Sequence, residues 1–117
     1  MDIIPGLAKK YNVKLIDVAI QSDYHKRAEM PEDTYIEKSY CIGNEIILGV
    51  YSDPELRLVS FYHELGHALC EEGARNQYDK ECRAWQHGFK LAKEDGIVFS
   101  AGTMNWCRQQ LKACKDA

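Results

Sequence analysis

The sequence predicts an α+β domain in which a small, mostly antiparallel sheet packs on two helices. Three features carry that expectation. Two β-patterned runs flank the turn dipeptide Gly43-Asn44. A long helical stretch follows the start signal Asp53-Pro54-Glu55. A second helical stretch, Asp79–Glu94, stops at Asp95-Gly96.

Taken in order, Pro5–Tyr11 reads as a short helix ended by Asn12, and Val13–Ile20 as a strand with Ile16, Val18 and Ile20 alternating on one face. The polar run Gln21–Asp33, with Pro31, reads as an exposed loop. Thr34–Ile42 and Glu45–Val50 form the hairpin around Gly43-Asn44, whose residues tolerate positive φ. Ile36, Tyr40 and Ile42 share one face of the first strand, and Ile46, Leu48 and Val50 share one face of the second.

The next helix is capped by Asp53 and runs to Glu72, with Gly73 as a natural left-handed stop. Leu58, Tyr62, Leu65 and Leu69 form its buried stripe. On Asp79–Glu94, residues Glu81, Ala84, Trp85 and Gly88 share a face, and two of them are small enough for close helix contact. Thr103 can cap a last helix with the stripe Cys107, Leu111 and Cys114. No repeat or linker divides the chain, so residues 1–117 read as a single domain.

Composition narrows the function. A net charge of −3 gives no support to direct nucleic-acid binding, and Lys9-Lys10 and Lys26-Arg27 are isolated pairs. No apolar run is long enough for a membrane span, and the N-terminus lacks the pattern of a signal peptide, so a cytoplasmic setting is expected. The five cysteines contain no C-x-x-C pair and read as small core residues, with Cys70 near the motif described next.

That motif is His63-Glu64-Leu65-Gly66-His67. Histidines four apart lie on one helical face and can bind one metal ion, and the glutamate between them can deprotonate a water there. A catalytic zinc site needs a third protein ligand. Cys70 and Gly73 stand where a metzincin extension would need Gly and His. Asn105, in Gly102-Thr103-Met104-Asn105, is neutral, and His87 faces away from the small-residue face of its helix. Asp79 sits at the helix start with a shorter arm. Glu81 remains, fourteen residues after His67 and beside Ala84 and Gly88.

The hairpin, the run from Leu58 through His63-Glu64-Leu65-Gly66-His67 to Leu69, and Glu81-x-x-Ala84-Trp85 together resemble the ImmA/IrrE family of metallopeptidases, over about residues 34–95. The resemblance implies a zincin-like fold of the gluzincin type, with one Zn²⁺ per chain held by His63, His67 and Glu81, and Glu64 as general base. It also implies a protein substrate inside the cell, such as the DNA-binding repressor of a phage or mobile element. Arg83 departs from the family pattern at a position that is often acidic, and no helix-turn-helix module is legible.

The expected chemistry is metal-assisted hydrolysis of a peptide bond. Tyr78, Arg75, Tyr24 and His25 are candidates for stabilising an oxyanion by residue type alone. If Glu45–Val50 lies at the sheet edge, it can pair with an extended substrate. Competing readings are a non-enzymatic regulator that uses zinc to stabilise its fold, and a toxin-type hydrolase using the same site.

Overall fold

A computed structural model describes residues 2–20, 32–69 and 73–116. Residues 21–31 of the loop expected over Gln21–Asp33, with Tyr24, His25 and Lys26-Arg27, lie outside them, as do Cys70 and the helix end at Glu72; Glu32 and Asp33 belong to a 3₁₀ turn and not to a loop. The described chain is α+β, with four α-helices, a 3₁₀ turn and one three-stranded sheet.

Helix α1 (Ile4–Lys10) begins with Pro5 in its first turn, where a missing N–H costs nothing. It ends as Asn12 turns to φ +56°, a conformation Asn tolerates better than most residues. Strand β1 (Lys14–Asp17) is shorter than the expected Val13–Ile20. Ile16 and Val18 are buried as predicted, but Ile20 lies past the strand and is exposed.

The hairpin is also shorter than the sequence indicates. Residues Glu32–Tyr35 form the 3₁₀ turn, and β2 is confined to Tyr40–Ile42, paired with β3 (Glu45–Leu48). Only Gly43 of the turn takes a positive φ, +59°. Asn44 instead donates its side-chain amide to the Asn12 carbonyl, tying the turn to the end of α1.

The sheet order is β1-β3-β2, and β1 runs parallel to β3 while β2 runs antiparallel. The sheet is therefore mixed, not mostly antiparallel. Side-chain alternation reports which face is buried and carries no information on strand direction. As the central strand, β3 buries Ile46, Ile47 and Leu48 in succession, so its apolar run does not alternate. The predicted apolar face of Ile36, Tyr40 and Ile42 is largely exposed, with Tyr40 and Ile42 registered against Ile47 and Glu45. Cys41, the residue between them, packs on the main core. Val50 is 42% exposed and forms only an isolated bridge with Ile36.

Helix α2 (Pro54–Leu69) starts where the Asp53 carboxylate accepts the Glu55 N–H at 2.8 Å. It packs on β2, β3, α3 (Gln77–Glu94) and α4 (Ala101–Asp116). Because it is covered on several sides, Val59 and Phe61 are buried along with Tyr62 and Leu65. Leu69, assigned to the stripe, is instead 44% exposed near the helix end.

Helix α3 begins two residues before the expected Asp79, with Asn76 accepting the Asp79 N–H at 2.8 Å. Its small-residue face meets α2 as the sequence predicts. A Cβ on Gly66 would lie 2.1 Å from the Ala84 carbonyl oxygen, and one on Gly88 would lie 2.5 Å from that of Tyr62. These two glycines let the helix backbones touch. The cap of α4 is Ser100, which accepts the Thr103 N–H at 3.2 Å, so Thr103 lies inside the helix and not at its cap. Cys107 packs with Val59 and Trp85, and burial pushes its thiol up to about 12.

Asp95, the C-cap of α3, binds three elements together. It accepts hydrogen bonds from Tyr62 at 2.6 Å and Tyr11 at 2.8 Å, and an ion pair with Lys10. Burial opposes the Asp95 charge, but the bonds from Lys10, Tyr62 and Tyr11 outweigh it and hold the carboxyl below its usual value. No helix among the described residues is long and apolar enough to cross a membrane.

Candidate metal centre

The first consequence of the α2/α3 contact is the position of Glu81. Gly66, between the two histidines, brings the backbone of α3 against α2. One helical turn before Ala84, the Glu81 carboxylate then reaches across to both imidazoles. Its Oε2 lies 2.7 Å from His63 Nε2 and its Oε1 3.1 Å from His67 Nε2. One potential ligand atom from each of His63, His67 and Glu81 falls within 4.8 Å of the other two, the arrangement a metal ion could bridge. Among the described residues this is the one such group.

The alternatives considered from sequence are placed elsewhere. Asp79 accepts the Arg75 N–H at 2.9 Å and pairs with Arg83 at 3.2 Å. His87 lines a surface hollow with Arg83, Gln86 and Lys90. Asn105 is exposed on α4. Arg75 is 86% exposed beside Asp79, and neither it nor Tyr78 lines the cleft over the histidines.

Glu64 is 5% exposed, with Oε2 3.4 Å from His63 Nδ1. It lines a cleft of about 590 Å³ together with His63, His67, Glu81, Tyr40 and Lys80. The carboxylate is thus buried in the protein yet borders open space, the placement required of a group that exchanges a proton with something bound there.

The electrostatics prepare the donors. Burial lowers the pKa of His63, outweighing the hydrogen bond and charge of Glu81 that raise it, so the imidazole is held neutral. Burial disfavours the Glu81 carboxylate, but hydrogen bonds from His63 and His67 overcome it and hold the group well below the usual carboxylate range. Two imidazoles and one carboxylate form a donor set suited to a divalent cation such as zinc.

Two supports escaped the sequence reading as parts of this site. Trp85 stacks flat on His63, with ring centroids 4.0 Å apart and planes 1° from parallel. Gln77 donates to Glu81 Oε1 at 3.3 Å. Both residues are four positions from Glu81 on the same helix, so their spacing carried the signal. Together they limit the rotamers of a donor on each helix. Compared with family models, with curated proteins and with solved structures, the chain gives no match.

Proposed function

We propose that this chain is a zinc-dependent metallopeptidase of zincin-like architecture. The observation that carries the reading is the convergence of His63, His67 and Glu81 in one cleft wall with the buried Glu64 carboxylate beside them. Three protein donors leave a coordination position for water or substrate, as catalytic zinc sites do, whereas a purely structural site closes with four. A structural site also has no use for a buried glutamate that does not belong to the donor set. His63, His67 and Glu81 would hold the zinc, which would supply Lewis acidity toward a carbonyl and a bound water.

The chain's own residues perform the remaining work. Glu64 takes the proton of the attacking water and returns it to the leaving amine. Trp85 holds the His63 ring in place, and Gln77 restrains Glu81. The condition for substrate pairing along Glu45–Val50, a place at the sheet edge, is not met, because β3 is central. Strand β2 instead ends the sheet order, and Tyr40, Cys41 and Ile42 line the cleft. An extended peptide adding to β2 would pass along the wall that contains Glu64. This favours a peptide over a compact small-molecule substrate.

The sequence resemblance supports a folded intracellular regulatory protein as the target, such as a DNA-binding repressor, cut at an exposed loop. The test is a comparison of the native chain with Glu64→Gln on a panel of such proteins, with metal content measured on both. One zinc per chain in each protein is expected, with hydrolysis reduced in the variant by on the order of 10³-fold. Equal turnover by the two proteins would remove the enzyme reading.

A further inference from the structure

A second hollow adjoins the cleft and shares Ser39, Tyr40, His63 and Glu64 with it. It measures about 290 Å³ and is lined by Ser60, Glu64, Trp85, Trp106, Tyr51 and Gln110, among others. Ser60 is 4% exposed, and its hydroxyl is the one buried side-chain polar atom without a hydrogen-bond partner among the described residues. The neighbouring Tyr51 hydroxyl is engaged with Ser39 Oγ at 2.9 Å, and Ser39 Oγ also accepts the Gly49 N–H at 2.9 Å. Ser60 acts electrostatically on the Tyr51 hydroxyl beside it but makes no hydrogen bond of good geometry, so its own hydroxyl keeps donor and acceptor capacity. An unmet group of this kind costs free energy unless something occupies the hollow and bonds to it.

Ser60 and Glu64 are four residues apart on α2, so they sit one above the other on the same face, about 6 Å apart along the axis. A side chain whose tip reaches Ser60 therefore has its backbone next to the atoms that Glu64 would serve. Trp85 and Trp106 line its walls and offer apolar contact to an aliphatic stem. Glu37 and Lys38 also line the hollow, so with Glu64 it holds two carboxylates and one ammonium, which disfavours an anionic tip. A cationic tip would pair with Glu64 and occupy the carboxylate the reaction needs.

We propose that this hollow receives the substrate residue adjoining the scissile bond, and that Ser60 selects a long, neutral side chain ending in a hydrogen-bonding group, of the carboxamide class. The assignment as a substrate subsite rests on the peptidase reading above. Selection works because a buried hydroxyl is satisfied by a carboxamide and left unmet by an apolar isostere.

Binding can be read without hydrolysis, because both tryptophans of the chain line the hollow. In the 117-residue chain, indole N–H resonances would be followed by NMR during titration with N-acetylglutamine amide and with its apolar counterpart, N-acetylmethionine amide. The glutamine compound is expected to shift both signals at about tenfold lower concentration, and Ser60→Ala to abolish that difference while the helix folds normally, since Ala is the better helix former. Equal or tighter binding of the methionine compound, a preference that survives Ser60→Ala, or no shift with either compound would overturn the proposal. Cleavage of a mixed peptide library with no enrichment of neutral hydrogen-bonding residues beside the cut would also overturn it, leaving the peptidase reading intact. Selective amide binding with no peptide cleaved would support the hollow's selectivity and remove its role as a peptidase subsite.

Discussion

Two carboxylates near opposite ends of α3 tie that helix to adjacent residues of α2, and they do so for different ends. Asp95 bonds to Tyr62, and Glu81 bonds to His63, the next residue along. The partners of Asp95 are two phenols and an ammonium, none of which gives up its proton near neutral pH. Burial and the neighbouring carboxylate raise the pKa of Tyr62 further. The partners of Glu81 are imidazoles, which can exchange a ring proton for a metal ion. Asp95 is thus a permanent clamp, whereas the bonds of Glu81 are replaceable. Glu81 also lines the large cleft, where a bound group can reach it.

The largest expected effect falls on the replaceable side. Glu81→Ala should weaken zinc binding on the order of 100- to 1000-fold, as one of three protein donors is lost. Asp79→Ala should leave affinity nearly unchanged, since Asp79 serves Arg75 and Arg83. Competition with a chromophoric chelator measures both, and equal losses would erase the distinction between these acids.

The contact that brings both carboxylates into reach is the next target. Gly88→Ala places a methyl 2.5 Å from the Tyr62 carbonyl oxygen, and a backbone oxygen cannot swing aside as a side chain can. A loss of about 3 kcal/mol in denaturant unfolding is expected. An unchanged midpoint would show that α2 and α3 separate without penalty.

A smaller effect is expected from the clamp itself. Asp95→Asn should cost about 2 kcal/mol of stability while zinc affinity stays the same. A parallel fall in zinc affinity would mean that the two ends of α3 are coupled and the comparison fails.

The pH dependence of the clamp follows from its sign. The folded pKa of Asp95 lies below its ordinary value of 3.8, so its contribution is complete above that value and is lost as pH falls through the folded pKa. Thermal unfolding between pH 2 and 6 should therefore show a steeper acid loss for the native chain than for Asp95→Asn. Superimposable profiles would count against the clamp.

Local signals in the sequence located the site better than they located the sheet. The positions of His63, His67 and Glu81 follow from helical spacing and two small residues, information contained in a short stretch of chain. The Glu81 assignment also used elimination, and the structure places Asp79, His87 and Asn105 away from the group. Strand direction was not legible, because β1 pairs with β3 across residues that periodicity does not connect. The face of β2 was misread for a related reason: Tyr40 and Ile42 are apolar enough to read as core, yet the register turns Cys41 toward it. The Asp95 clamp was illegible because Tyr11 and Tyr62 meet it from distant parts of the chain.

That separation bears on the order in which the chain closes its loops. Glu81 and His63 are 18 residues apart, whereas Asp95 and Tyr11 are 84 apart. On a chain-entropy estimate the longer closure costs about 1.4 kcal/mol more. A chain that makes its least costly closures first assembles the helical hairpin before α1 is fastened to it. His63, His67 and Glu81 therefore come together while the N-terminal segment is still unattached. The bonds from Tyr11 and Lys10 to Asp95 then close last, on a helical hairpin that the Tyr62 bond already joins.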